Sequence, residues 1–303
     1  MNHEKPELWT NVHQASKIYF LPNLFTAGNL FFGFASIVLC MRGRFDPQTE
    51  TILNKIAGIF VDITPESAPG TAYYVLAVLC ILMSVLCDAL DGRVARASGK
   101  SSLFGKEFDS IADAISFAAA PCILTFLLIL DPAHNYSQKM QGIIGIVGWF
   151  VAFMYLLCGC VRLARFNVLT CPYIMGSEKY EKGDFCGLPV PAAAGAVSSI
   201  ALTMLYFDLW KYTSLIAPLI LIIAFLMVSN IPYPSFKHIK WTSSARIRSF
   251  VILVMVLFLL VYMGVYSFTV IFLAYIFYAP LRYLPKFWKI LQYMYRRKFA
   301  VKK

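Results

Sequence analysis

Long apolar runs separated by short polar breaks organise this chain. Stretches such as "LIAPLILIIAFLMVSNI" and "FVILVMVLFLLVYMGVYSFTVIFLAYIF" are apolar over the lengths needed to span a membrane. A helix needs about 20 such residues to cross a bilayer. The pattern predicts about eight transmembrane helices, at 20–41, 73–92, 108–130, 142–161, 189–207, 213–231, 248–264 and 266–284. The last two are nearly contiguous and need a tight turn near Gly264. An all-α polytopic membrane protein is therefore expected, with no soluble domain and no internal repeat. The first apolar run carries Pro22, Asn23, Thr26 and Asn29, and no small-residue cleavage site follows it. It is expected to stay as a span rather than be removed as a leader.

Composition sharpens this picture. The 303 residues are 59% hydrophobic and 16% aromatic, and only 14% are charged. Lysine and arginine outnumber acids, 27 to 16, for a net charge of +11. With eight spans, 22 of the 27 basic residues fall on the side that holds both termini, and 5 on the other. The positive-inside rule then places both termini in the cytoplasm. Three segments follow: a cytoplasmic stretch 1–19, a transmembrane catalytic domain 20–284, and a basic segment 285–303. The last, "KFWKILQYMYRRKFAVKK" from residue 286, suits a helix lying in the interface against anionic headgroups. The basic residues flank spans and form no single patch, so nucleic-acid binding is not expected. The insert 43–71 is expected on the extracytoplasmic side.

Six of the eight cysteines (Cys40, Cys80, Cys87, Cys122, Cys158, Cys160) lie inside apolar runs, and Cys171 and Cys186 fall in a cytoplasmic loop. No CxxC pair occurs, so the cysteines read as structural and reduced. His3, His13, His134 and His238 are scattered over termini and loops and take no catalytic role.

The chemistry concentrates in "CDALDGRVARASGKSSLFGKEFDSIADAISF", residues 87–117. A quarter of the carboxylates, Asp88, Asp91, Asp109 and Asp113, fall within 26 residues at the edge of apolar runs. An ionised carboxylate beside hydrocarbon is costly, so it is normally there to hold something. Spacings of three and four put each pair on one helix face. The short connection between spans two and three makes the two pairs neighbours at the cytoplasmic surface. Four acids in one place repel unless cations sit between them. Hard oxygen ligands suit Mg²⁺, Mn²⁺ or Ca²⁺, and the number of acids suits two ions, as in displacement at phosphorus. Gly92, Ala95 and Gly105 strip side chains from the approach, and Arg96 is placed to meet a phosphate. A carboxylate ladder in a divalent-cation transporter and salt bridges to Arg93 and Arg96 are the other readings. Against the transporter, the acids cluster at one face instead of running through the membrane.

The pattern D-x-x-D-G-x-x-A-R-x₈-G-x₃-D-x₃-D is filled by Asp88, Asp91, Gly92, Ala95, Arg96, Gly105, Asp109 and Asp113. It resembles the signature of the CDP-alcohol phosphatidyltransferases. "LPNLFTAGNLFFGF", "RLARFNV", "GLPVPAAAG" and "MVSNIPYPSFK" resemble the bacterial serine-using branch of that family. The resemblance implies a six-helix core, usually a homodimer, with a cytoplasm-facing cavity in a multi-pass inner-membrane enzyme. It implies two divalent ions, Mg²⁺ or Mn²⁺, held by Asp88, Asp91, Asp109 and Asp113, with Asp113 also the general base. Gly92, Ala95, Arg96 and Gly105 would line the CDP site, with Asn23 and Thr26 nearby. The substrates implied are CDP-diacylglycerol and L-serine, with CMP released. The same chemistry on a phosphorylated acceptor, such as glycerol phosphate or an inositol phosphate, would call for a denser basic pocket. Arg162, Arg165 and Lys237 are candidates for binding the serine carboxylate or a lipid phosphate, or are positive-inside anchors. "GLPVPAAAG" reads mainly as a helix-packing element.

Overall fold

A computed structural model describes residues 20–46, 51–60, 70–98, 103–129, 138–169, 185–207, 209–233 and 266–282. These segments are almost entirely helical. In hydrocarbon every backbone N–H and C=O must be satisfied within its own segment, and the helix does that. The elements are α1 (Phe20–Phe45), α2 (Thr51–Ala57), α3 (Thr71–Ser98), α4 (Leu103–Asp113), α5 (Ala120–Leu124), α6 (Gln138–Leu169), α7 (Val190–Phe207), α8 (Thr213–Val228) and α9 (Ser267–Arg282). Five helical stretches are long and apolar enough to cross a membrane: Asn23–Phe45, Thr71–Val94, Phe104–Leu128, Val147–Val168 and Val190–Phe207. Leu215–Val228 and Ser267–Arg282 are shorter apolar helices. This is an integral membrane protein, almost entirely helical over the described residues. The expected span 248–264, the turn near Gly264, and the segments 1–19 and 285–303 lie outside the described residues.

Several boundaries differ from the expected ones: α1 runs on to Phe45, α4 begins at Leu103 and α8 stops at Val228. α3 runs on to Ser98, and α6 to Leu169, each beyond its apolar run. Arg162 and Arg165 are therefore helical residues rather than loop residues, because a helix can continue into the polar interface. The third span is also not a plain helix. α4 passes into a π-helical turn at Ala114–Ala119, then α5, then a second π turn at Thr125–Ile129. Pro121 explains part of this. It has no N–H to give to the carbonyl of Phe117, and that carbonyl accepts instead from the Tyr155 hydroxyl at 3.2 Å. Within the turn, Ala120 N–H reaches back to Ile115 O, a bond between residues five apart.

α1 packs along α3, and α6 along α8. α7 is the most buried of the five spans. Its Ala193, Ala194, Ala196 and Ala201 are all fully buried, which suits the packing role expected of "GLPVPAAAG". Gly195 takes the Phe272 ring of α9, and a Cβ there would lie 2.3 Å from Phe272 Cζ. Beside it, Thr269 Oγ1 donates to Ser199 O (2.8 Å) and meets Thr203 Oγ1 (2.7 Å). The short strands β1 (Phe185–Cys186) and β2 (Pro232–Tyr233) pair antiparallel, with Phe185 opposite Tyr233. Gly187 N–H to Ile231 O and Leu188 N–H to Leu226 O then fix the entry of α7 to the end of α8. Outward-facing Trp149, Phe150 and Phe153 present the lipid-contact surface expected of a span. Cys40, Cys80, Cys87, Cys122, Cys158 and Cys160 are free thiols.

Candidate active site

α3 and α4 carry the acids. Carboxylate oxygens of Asp88, Asp109 and Asp113 lie within 4.8 Å of one another, on half-buried side chains. Asp91, one turn beyond Asp88, is buried and accepts a hydrogen bond from Thr26 Oγ1 of α1. Three of the four aspartates thus meet directly, and the fourth stands beside them on Thr26.

α1 is the brace. Asn29 Nδ2 donates to Asp113 Oδ1 at 3.0 Å. The carbonyl of Asn29 accepts from Ser84 of α3 and from Ser116 of the π turn, each at 2.9 Å. One residue therefore ties together both acid-bearing helices. One turn further, Gly33 lies on Ser116, and a Cβ there would come within 2.2 Å of Ser116 Oγ. The close approach of α1 to the π turn requires glycine at that point. Asn23, Thr26, Asn29 and Gly33 recur at helical spacing along "NLFTAGNLFFG", so the polar groups and the glycine line one side of an otherwise apolar helix. Asn29, Ser84 and Ser116 were not among the sequence-derived site residues; this spacing is the signal that marks Asn29.

α6 closes another side. Asn167 Nδ2 donates to Ser110 Oγ at 2.8 Å, next to Asp109. Arg162 is only 8% exposed, and its Nε has no hydrogen-bond partner. Asp113 and Tyr275 are the charged or titrating groups that act on it. Arg165 is engaged elsewhere, with Nη2 donating to Asn230 Oδ1 (2.6 Å) and Nη1 to Val228 O (3.3 Å). The structure therefore separates the two candidate arginines, Arg162 toward the acids and Arg165 as a clasp on the end of α8. Asn23 Nδ2 is buried without a partner, and so is Asn29 Oδ1. Gly92 follows Asp88 by one turn, and Gly105 precedes Asp109 by one turn. Of Ala95 and Arg96 only the backbone is described, on the last turns of α3, and Lys237 lies outside the described residues.

The donor set suits a hard divalent cation, for it offers oxygens and neither imidazole nor thiolate. Metal–oxygen bonds of about 2.0–2.6 Å put ligand atoms up to about 5 Å apart across one ion, and the three carboxylates fall inside that limit. Without a cation, their mutual repulsion would oppose this packing.

Fold and site together define an almost entirely helical membrane protein whose acid centre is built where helices α1, α3 and α4 meet. The sequence profile described as CDP-alcohol phosphatidyltransferase matches residues 19–227, and the chain belongs to that family. It is 32% identical over 256 residues to a CDP-diacylglycerol–serine O-phosphatidyltransferase of Helicobacter pylori, covering 82% of this chain and 88% of that one. It is 40% identical over 159 residues to an archaetidylserine synthase of Methanothermobacter thermautotrophicus, covering 51% and 57%. A CDP-diacylglycerol–serine O-phosphatidyltransferase of Saccharomyces cerevisiae is 34% identical over 164 residues, covering 53% and 55%.

Proposed function

We propose that this chain is a phosphatidylserine synthase. It transfers the phosphatidyl group of CDP-diacylglycerol to the hydroxyl of L-serine and releases CMP. The observation that carries the reading is the meeting of Asp88, Asp109 and Asp113 at the junction of two neighbouring helices. Similarity to serine-using relatives over most of the chain supports the acceptor.

In this proposal Asp88, Asp91, Asp109 and Asp113 hold two divalent ions, Mg²⁺ or Mn²⁺. Bound there, such ions supply positive charge against a diphosphate and its leaving group. The protein's own part is positioning and proton transfer. Asp113 is the general base: Asn29 holds one of its oxygens, and the second takes the proton from the serine hydroxyl. A new O–P bond forms to serine as the P–O bond to CMP breaks, and CMP leaves with the electron pair. Gly92, Ala95, Arg96 and Gly105, with Asn23 and Thr26, form the CDP side. Lipid-facing helices keep the acyl chains in hydrocarbon while serine enters from the water side. The basic asymmetry supports eight spans with the acids and both termini in the cytoplasm, at the inner membrane. The family resemblance leads us to propose a homodimer as well.

The test is CMP release from CDP-diacylglycerol by the detergent-solubilised full chain across a panel of alcohols. L-serine is expected to drive release above water and above the other acceptors. Release with glycerol phosphate or an inositol phosphate but not with serine would reassign the acceptor. No release with any alcohol would point to the cation-transporter reading.

A further inference from the structure

The chemistry makes no use of the insert between α1 and α3, yet its described element, α2, carries an apolar outer face. α1 and α3 run antiparallel. Thr26 meets Asp91 at one end, and Gly43 meets Gly70 at the other. The two backbones touch there: Gly70 has a φ of +81°, and a Cβ on it would lie 2.2 Å from Gly43 O. At the helical rise, α3 covers about 30 Å between Asp91 and Thr71. That length matches the hydrocarbon core of a bilayer. The glycine contact therefore stands at the membrane boundary opposite the acids.

α2 begins a few residues past the end of α1 and packs on α3. Its winding continues through Phe60, with Gly58 N–H donating to Asn54 O (2.9 Å) and Phe60 N–H to Ala57 O (3.0 Å). Successive residues turn by about 100°, which sorts the stretch into three sectors. Ala57, fully buried, and Phe60 lie against the core, and Leu53 shares their spacing. Ile52, Ile56 and Ile59 form the next sector, and they are 67%, 43% and 77% exposed. Asn54, Lys55 and Gly58 form the third, with Lys55 and Gly58 exposed. One side thus meets protein, one is aliphatic and one is polar. A helix lying in the plane of a membrane surface divides its residues in this way. The aliphatic sector also continues a surface that faces hydrocarbon, because Met41 and Phe45 are exposed at the adjoining end of α1. Lys55 borders the isoleucines, so its stem can lie along them while its ammonium reaches lipid phosphates.

We propose that α2 is an interfacial anchor: Ile52, Ile56 and Ile59 enter the acyl boundary of the leaflet opposite the acids, and Lys55 stands among its phosphates. The anchor holds the Gly43–Gly70 contact at the membrane surface. It thereby sets the depth of the α1–α3 pair, whose other end carries Thr26, Asn29 and the acids. The inference does not depend on which alcohol accepts the phosphatidyl group.

The experiment places single cysteines, Ile52→Cys, Ile56→Cys, Ile59→Cys and Lys55→Cys, in the full chain lacking its native cysteines. Each is labelled with bimane and reconstituted into vesicles of phosphatidylethanolamine and phosphatidylglycerol. Emission is then read with a lipid spin-labelled near the top of its acyl chain, and separately with aqueous iodide. The three isoleucine sites should lose at least about half of their emission to the lipid quencher, since the apolar face of such a helix sits roughly 5–10 Å inside the headgroup boundary. Iodide should act mainly on the Lys55 site. Iodide quenching of the isoleucine sites without lipid quenching overturns the proposal, because the stripe then faces water. Protection from both quenchers overturns it as well, because a second copy or another segment then covers the stripe. Equal lipid quenching at Lys55→Cys overturns the orientation. An arm without substitutions exposes the native chain in the same vesicles to a phospholipid with a diazirine on its acyl chain and maps the adducts by mass spectrometry. Adducts are expected within Ile52–Ile59 as well as at Met41 and Phe45. Adducts at Met41 and Phe45 with none within Ile52–Ile59 overturn the proposal even if the labelled variants fail to fold.

Discussion

The seam between α7 and α9 and the junction of α1, α3 and α4 both place polar side chains inside a membrane protein, and they do so in opposite ways. At the seam, Ser199, Thr203 and Thr269 satisfy one another within 2.7–3.0 Å, and the cluster is closed. At the junction, Thr26 and Asn29 are spent on carboxylates, and buried donors and acceptors remain unused. Among the described residues, three of the unpaired buried atoms are hydroxyls, at Ser36, Thr125 and Ser198. At the junction they are amide atoms, Asn23 Nδ2 and Asn29 Oδ1, and on α6 a guanidinium atom, Arg162 Nε. Such groups are costly to bury unmet, so they mark where a ligand completes the structure. A closed polar cluster holds helices together, and an open one awaits chemistry.

Removal of divalent cations is the most severe test of this contrast. EDTA should abolish CMP release, and Mg²⁺ or Mn²⁺ should restore it, while the α7–α9 seam stays intact. Full turnover in a metal-free preparation would break the reading of the open cluster.

Next in size is Asp113→Asn. It keeps shape and one oxygen but removes the proposed proton acceptor, so turnover should fall at least about a hundredfold. CDP-diacylglycerol binding should persist, since Asp88, Asp91 and Asp109 remain. Asp88→Asn should instead weaken Mn²⁺ and nucleotide binding together. Equal loss of binding in both variants would make Asp113 chiefly a ligand.

Asn29→Leu sharpens the contrast further. It preserves bulk but frees Asp113, at the cost of a hydrogen bond to a charged group, and should lower kcat about tenfold. A normal kcat would show that the Asn29 bond is structural only.

The smallest effect is expected at the seam itself. Thr269→Val removes side-chain bonds of the kind worth about 0.6 kcal/mol in membrane proteins. It should lower the thermal midpoint in detergent by roughly 2 °C and leave CMP release unaltered. A large loss of activity would mean that the seam is not separate from the site.

Much of this was legible in the sequence, for physical reasons that differ by residue. The spans follow from apolar length, which a bilayer enforces with little tolerance. The acids follow from spacings of three and four on adjoining helices, which fix faces without tertiary knowledge. Asn29 is visible in the first apolar run, but an amide in an apolar helix does not name its partner 84 residues away. The parting of Arg162 and Arg165 was equally hidden, since Arg165 finds Asn230 only through the packing of α6 on α8. Pro121 was visible, but a proline announces a disturbed helix and not which turn widens. The meeting of Tyr233 with the Tyr275 ring and with Ile276 O, 43 positions away, joins residues that no local pattern connects.

The π turn at Ala114–Ala119 has a mechanical consequence. A π turn takes up about one residue more than an α turn, and one residue is about 100° of rotation around a helix. The acid-bearing end and the lipid-crossing end of this span can therefore be phased independently. Asp109 and Asp113 can face the acids of α3 while Phe117, Ala120 and Leu124 keep the angle their own neighbours require. A single regular helix would have to choose one orientation for both ends. The widened turn acts as a gear between them.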